Sequence, residues 1–247
     1  MLNKNIRLIA LDLDGTLLDE NQEISEINRK TIELARQQGV EVIISTGRHY
    51  STCSKYAKEL GLSSYLITVN GSEIWKVSGE LVDRQLIDVS LVEMLVQLHK
   101  KYKTYAWMTS TNQIWRGELP DQLEAHEWLK FGFDTDNPSV KQVIIDELAK
   151  HSTLEVSNSS QTNIEVNAVG INKAVAIEKV CEHIGITLNE VMTVGDSLND
   201  IKMIEAAGLG IAMGNAQEQV KEAADWVTGK NTENGVAQAI KHWVLKM

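Results

Sequence analysis

The sequence predicts an α/β fold, a doubly wound parallel-sheet core interrupted by an inserted α+β module. Three observations carry that prediction. Short apolar runs alternate with helical stretches in the first third of the chain, the same alternation returns in the last third, and a segment of different periodicity lies between them. Apolar runs without polar alternation are strands buried on both faces, as in parallel sheets covered by crossover helices. The core so predicted is Rossmann-like and takes residues 1–83 and 168–247, with residues 84–167 as the insert.

The elements follow in order. Ile6–Leu13 reads as a buried strand, Ser25–Gln38 as a helix stopped by Gly39, and Val40–Ser45 as a second strand. Thr52–Leu60 is a helix ended by Gly61, and Tyr65–Val69 a third strand; Asn70-Gly71 and Val77–Glu80 are turn signals. In the last third, Asn172 caps a helix running to His183 with Gly185 just past its end. Strands at Val191–Val194, Gly210–Met213 and Trp226–Thr228 alternate with helices at Leu198–Ala207, Gln217–Ala224 and Asn234–Val244. The middle mixes helices (Ser90–Lys101, Ser139–Lys150) with period-2 strands (Thr153–Ser157, Asn163–Asn167) and holds both prolines. It also carries seven of the chain's thirteen aromatic residues, which sets it apart as a separate unit.

Composition narrows the partners. A net charge of -10 with no polybasic tract argues against nucleic acid and against an anionic membrane surface. The N-terminal apolar run is short and interrupted by Asp12, so neither a membrane span nor a signal peptide is expected, and the expected location is cytoplasmic. Cys53 and Cys181 sit on helical apolar stripes and read as buried core thiols.

In doubly wound sheets, ligands bind beyond the carboxyl ends of the strands. The first strand ends in Asp12-Leu13-Asp14-Gly15-Thr16, where alternation would put both aspartates on one side. The strand Val191–Val194 runs into Gly195-Asp196-Ser197-Leu198-Asn199-Asp200, and the second strand into Ser45-Thr46-Gly47-Arg48. Each has an ordinary account taken singly: an Asx turn, a helix-dipole carboxylate, an N-cap. Together these accounts fail. Carboxylates gathered at one sheet edge repel by about 4 kcal/mol per pair at 4 Å with an effective dielectric near 20. Such a site needs a cation, and oxygen-only ligands select a hard one such as Mg²⁺. Lys173 is a candidate point charge for a phosphoryl group.

Asp12-x-Asp14-Gly15-Thr16, Thr46-Gly47-Arg48, Lys173 and Gly195-Asp196-x-x-Asn199-Asp200 resemble, in order and spacing, the four motifs of the haloacid dehalogenase-like hydrolases. The resemblance is to the Cof-type phosphatase branch, supported by Asn70-Gly71, Met213-Gly214-Asn215-Ala216 and Asn234-Gly235-Val236. It covers the core end to end and the insert, a cap in this branch, by position only. Two departures are visible: Ala174 where similar sequences often have Gly, and Asn234 where they often have Asp.

The resemblance implies a Mg²⁺-dependent phosphatase acting on a small phosphorylated metabolite through a phospho-aspartyl intermediate on Asp12. Asp14 is the implied acid and base. The metal is implied on the Asp12 carboxylate, the Asp14 carbonyl and Asp196; Thr46, Gly47, Lys173 and Asn199 are implied phosphate or substrate contacts, and Asp200 orients the metal shell or holds Lys173. Sugar phosphates, phosphoglycolate, flavin mononucleotide and pyridoxal phosphate all fit the family. A phosphomutase of the same superfamily is the alternative enzyme, and a phospho-accepting regulatory protein the alternative of another class.

Remaining candidates read as structural. Arg48 and His49 read as helix-start residues, and the series Glu118, Asp121, Glu124 and Glu127 as the solvated face of a helix. Trp107, Trp115 and Trp128 read as packing of the insert. The insert's charges are mostly acidic, which predicts no clamp for a second phosphate and a preference for monophosphates.

Overall fold

The computed structural model describes residues 5–247. The chain runs β1 (Leu8–Leu11), α1 (Glu26–Gln37), β2 (Glu41–Ser45), α2 (Tyr50–Glu59), β3 (Tyr65–Thr68), β4 (Glu73–Lys76) and β5 (Leu81–Arg84). It continues with α3 (Val89–Tyr102), β6 (Tyr105–Ser110), β7 (Ile114–Arg116), β8 (Trp128–Asp134), α4 (Pro138–Leu148), β9 (Leu154–Ser157) and β10 (Asn163–Ala168). It ends with α5 (Lys173–Ile184), β11 (Val191–Gly195), α6 (Ile201–Ala206), β12 (Leu209–Ala212), α7 (Glu218–Ala223), β13 (Trp226–Val227) and α8 (Gly235–Ile240).

The strands form two sheets. The larger has the order β13-β12-β11-β1-β2-β3-β4-β5, parallel from β13 to β3. Strand β1 lies at its centre, with β2 on one side and β11 on the other, so the loops leaving β1 and β11 diverge and open a crevice. The hairpin β4–β5 extends the sheet antiparallel and was not anticipated from sequence, where only its bounding turns were visible. The smaller sheet, β7-β6-β8-β10-β9, is wholly antiparallel. One of its faces packs on α3 and α4 through Leu95, Met108, Phe131, Phe133, Ile144 and Val166. Arg84 closes the larger sheet and Ala168 the smaller, so the chain passes between them at residues 85–88 and 169–172.

Helix ends follow local chemistry. Ser25, Asn172, Asp88 and Asn137 each cap a helix by accepting a backbone N–H, and Pro138 stands at the first helical position of α4. Gly185 ends α5 in the left-handed conformation.

Three sequence expectations need correction. The strand expected over Ile6–Leu13 leaves the sheet after Leu11, so strand alternation does not govern Asp12 and Asp14. The helix expected over Leu198–Ala207 starts as a 3-10 turn, Leu198–Asp200, before α6. The acidic series Glu118 to Glu127 is exposed but not helical; it contains one 3-10 turn, Leu123–Ala125, because Pro120 and Gly117 break the run and no apolar stripe supports a longer one. No helix among the described residues is long and apolar enough to cross a membrane.

Candidate active site

Asp12 follows β1 directly, and its N–H still donates to Val194 O at 3.0 Å, which fixes it beside the end of β11. Gly15 has φ 77°, and a Cβ there would fall 2.4 Å from Asp196 Oδ2, so only glycine lets this loop press against Asp196. Thr16 Oγ1 donates to Asp196 Oδ1 at 3.2 Å, and Asn215 Nδ2 donates to the Gly15 carbonyl at 2.8 Å. The loops after β1, β11 and β12 are thereby tied together.

At the centre lies Lys173, fully buried, donating to Asp12 Oδ1 and to Asp200 Oδ1 at 2.6 Å each. Helix α5 delivers it from its first residue. Asp200 Oδ2 accepts from the N–H groups of Asp196 and Ser197 at 2.9 and 3.0 Å, so both its oxygens are engaged. Asp12 Oδ2 accepts no hydrogen bond among the described residues. Carboxylate oxygens of Asp12, Asp196 and Asp200 lie within 4.8 Å of one another. One lysine faces three carboxylates, and the charge does not balance. Burial, reinforced by Asp200 and Asp196, pushes Asp12 well above the carboxylate range against the pull of Lys173. Burial, then Asp200, pushes Asp196 up to about 7. Burial opposes the charge on Lys173, yet Asp12 and Asp200 outweigh it and hold its affinity for the proton above that of a free lysine. An oxygen-only donor set with surplus negative charge fits a hard divalent cation: Asp12 Oδ2 is open to one, and each Asp196 oxygen meets a single hydroxyl donor, Thr16 at 3.2 Å and Ser197 at 3.1 Å.

Asp14 behaves differently. Its half-exposed carboxylate receives Arg48 Nε at 2.7 Å and Nη2 at 2.5 Å, a bidentate pair. Arg48 also touches Gln22 Oε1 and lies over the Tyr56 ring. Hydrogen bonding to Asp14 strengthens the guanidinium's hold on its proton. Three carboxylates are clustered, then, and the fourth is paired apart from them. Arg48 is consequently no mere helix-start residue, whereas His49 caps α2 and reaches the Thr111 carbonyl in the β6–β7 turn at 3.3 Å.

Thr46 is buried at the end of β2, with its hydroxyl accepting the Arg48 N–H at 3.2 Å. A Cβ on Gly47 would sit 2.8 Å from Asn70 Oδ1, which explains the glycine. Asn199 donates to Asn70 Oδ1 at 3.3 Å, while its own Oδ1 is buried without a partner.

The seam between the sheets holds a network that sequence reasoning missed. Lys130 on β8 donates to Gly47 O at 2.8 Å and pairs with Glu165 of β10 at 3.2 Å. Glu165 also accepts from Asn70 at 2.6 Å and Ser159 at 2.8 Å, and Asn167 donates to Val69 O, Ser72 and Leu129 O. Val69 and Asn70 have φ of 51° and 61°, rare for a β-branched residue, and this strained turn aims Asn70 at the seam. The available signal was Lys130 itself, a charge inside the apolar run Trp128–Phe133.

A cavity of about 630 Å³ lies between the sheets, lined by Asp12, Asp14, Gly47, Arg48 and Asn199 from one side and by Tyr105, Trp107, Arg116 and Lys130 from the other. Two expectations change here. The insert does bring cations to the cavity, though its net charge hid them. The tryptophans divide: Trp128 is buried, donating to Leu123 O at 2.8 Å with Trp115 against it, while Trp107 lines the cavity.

Known proteins bear on this geometry. The family model of haloacid dehalogenase-like hydrolases matches residues 9–120 and 117–240. A 5-amino-6-(5-phospho-D-ribitylamino)uracil phosphatase of Bacillus subtilis is 54% identical over 241 residues, covering 98% of this chain and 97% of its own. A second B. subtilis phosphatase with the same named substrate is 30% identical, covering 96% of this chain and 97% of its own. A solved haloacid dehalogenase-like hydrolase from B. subtilis superimposes with a TM-score of 0.89 at 26% identity, covering 97% of this chain and 100% of its own. With its buried aspartate–lysine cluster at the switch point of a parallel sheet, the chain belongs to the haloacid dehalogenase-like hydrolase family, among its phosphatases.

Proposed function

We propose that this phosphatase transfers the phosphoryl group of its substrate to Asp12 and then to water, with Mg²⁺ as its cation. The observation that carries the reading is Lys173 shared between Asp12 and an Asp200 whose oxygens are both engaged, with Asp12 Oδ2 unengaged beside the Asp196 carboxylate. The division of labour follows from the chain's own groups. Asp12 attacks phosphorus as the ester P–O bond breaks; a carboxylate needs no base to activate it. Asp14 gives its proton to the leaving alkoxide, then takes one from the water whose oxygen displaces Asp12. For this, Arg48 must release Asp14 to the substrate. Thr46, Gly47 and Lys173 hold phosphoryl oxygens, and Asn199 fixes Asn70 at the seam beside them. When bound on Asp12, the Asp14 carbonyl and Asp196, Mg²⁺ supplies the charge that lets an anion approach these carboxylates.

The division into a core of residues 1–83 and 168–247 and a cap of residues 84–167 belongs to this proposal, supported by two separate apolar cores. So does a cytoplasmic location, which suits two free, buried cysteines. The substrate we infer is 5-amino-6-(5-phospho-D-ribitylamino)uracil, on the strength of the 54% identical relative. Labelled substrate tests the mechanism. With a labelled aryl phosphate, whose leaving group needs no proton from Asp14, Asp14→Asn is expected to accumulate a labelled, base-labile phosphoenzyme with Mg²⁺, and Asp12→Asn none. Label retained on Asp12→Asn would move the nucleophile elsewhere.

A further inference from the structure

The cavity-facing side of the smaller sheet is graded. Strand alternation sends Ala106, Met108, Phe131 and Phe133 to the helices and Trp107, Thr109, Lys130 and Asp134 to the cavity. Registers align these in rows: Thr109 with Lys130 and Ile114, Trp107 with Gly132 and Arg116, Tyr105 with Asp134. The first row abuts the catalytic edge, since Lys130 donates to Gly47 O. At about 3.4 Å per residue, the second row stands about 7 Å further out and the third about 14 Å.

Pairing falls off along the same direction. Lys130 is consumed by Glu165 and Gly47. The Arg116 guanidinium has no hydrogen bond or ion pair among the described residues. The Asp134 carboxylate accepts no hydrogen bond there either; Lys141 is its electrostatic neighbour. Between them Trp107 lies across Gly132: a Cβ at that glycine would be 2.0 to 2.4 Å from three indole atoms. Gly132 therefore seats the ring against the backbone, and the indole also lines the cavity.

We propose that Trp107, Arg116 and Asp134 form a subsite for a planar, hydrogen-bonding ring carried by the leaving group, a uracil-type imide at the end of a polyol chain. The proposal rests on the phosphatase reading above. Stacking on a fixed indole accepts any such ring, and the unpaired charges add direction: Arg116 donates to ring carbonyls, and Asp134 accepts from ring N–H. An extended ribityl chain has the reach to carry a ring from the phosphoryl site past Thr109 to the second row.

Two measurements test it. The first compares kcat/KM for 5-amino-6-(5-phospho-D-ribitylamino)uracil with that for ribitol 5-phosphate, the same polyol without the ring. Trp107→Leu and Arg116→Gln are expected to lower the ratio by about tenfold or more, chiefly through KM. Gly132→Ala, which keeps all three side chains but displaces the indole, is expected to act likewise. The second titrates the dephosphorylated, ring-bearing product into Asp12→Asn by calorimetry, where no turnover occurs; adding Arg116→Gln is expected to weaken binding by about tenfold. Equal losses on both substrates with lower melting temperatures would show that these residues only pack the insert. A loss confined to diphosphate esters would make Arg116 an anion clamp and overturn the ring assignment. Product binding that depends on Arg116, in a wild type that hydrolyses neither ester, would support the subsite while refuting the phosphatase reading.

Discussion

Two lysines are buried among the described residues, and their surroundings differ in one respect that separates function from architecture. Lys130 meets one carboxylate, Glu165, in a network where Asn70, Ser159 and the Gly47 carbonyl use the remaining positions. Its charge closes to zero. Lys173 meets Asp12 and Asp200 with Asp196 beside them, and negative charge is left over. The proton affinities register the contrast. Burial raises that of Glu165, but Lys130 and its hydrogen bonds overcome the effect and hold it below the ordinary carboxylate value. Burial and like charges together leave Asp12 and Asp196 above theirs. A closed network holds two sheets in register; an open one waits for a cation and an anion.

The largest effect expected from breaking this contrast is on turnover. Asp12→Asn should lower kcat by at least ~10³ while the far-ultraviolet circular dichroism stays that of the wild type. Asp12 is one of the surplus charges, so its loss should leave the metal-free melting temperature no lower. A large drop in that temperature would place Asp12 with Glu165 as a structural partner.

Next comes the seam. Lys130→Met strands Glu165 without its cation and should cost roughly 3–5 kcal/mol in denaturant unfolding. The double variant Lys130→Met, Glu165→Gln should recover much of that loss, because it removes both charges. If single and double variants unfold alike, the pair is not the unit that matters.

The two networks should also respond to pH with opposite sign. Asp12 and Asp196 are raised in the fold, so their contribution is present at acid pH. It is lost as pH rises from the ordinary carboxylate value near 3.8 through about 7 for Asp196. Metal-free protein should therefore lose roughly 2–4 kcal/mol over that interval. Saturating Mg²⁺ should abolish the decline. Glu165 is lowered, so its contribution is present above the unfolded carboxylate value and lost as pH falls below it. Asp196→Asn should flatten the neutral limb and leave the acid limb in place; chemical denaturation at a series of pH values reads both.

Smallest is the exposed pair Lys76–Glu80, which closes the β4–β5 turn at 2.7 Å. Lys76→Ala should not move the unfolding midpoint measurably, since water and salt screen such pairs. A clear shift would mean that burial is not what sets the two lysine networks apart from a surface pair.

Sequence by itself located the carboxylate-bearing edge of the larger sheet. Asp12, Thr46, Lys173 and Asp196 each stand at the end or start of an element whose apolar run or cap is local, so strand ends and helix starts could be located without knowing what packs on them. The same locality exposed the cap Asn172 and the stop at Gly185. Tertiary structure decided the rest. Strand alternation put Asp12 and Asp14 on one side and both line the cavity, but it could not show that Arg48, brought in by a different loop, pairs Asp14 apart from the other carboxylates. The β4–β5 hairpin exists because β3 offers it an edge, and that pairing is invisible in two short, mixed segments. Lys130 and Glu165 lie 35 residues apart, and Asn70 is 95 residues from Glu165. No periodicity joins such residues; burial makes the pairing obligatory, because a lone charge in that seam would be too costly to keep.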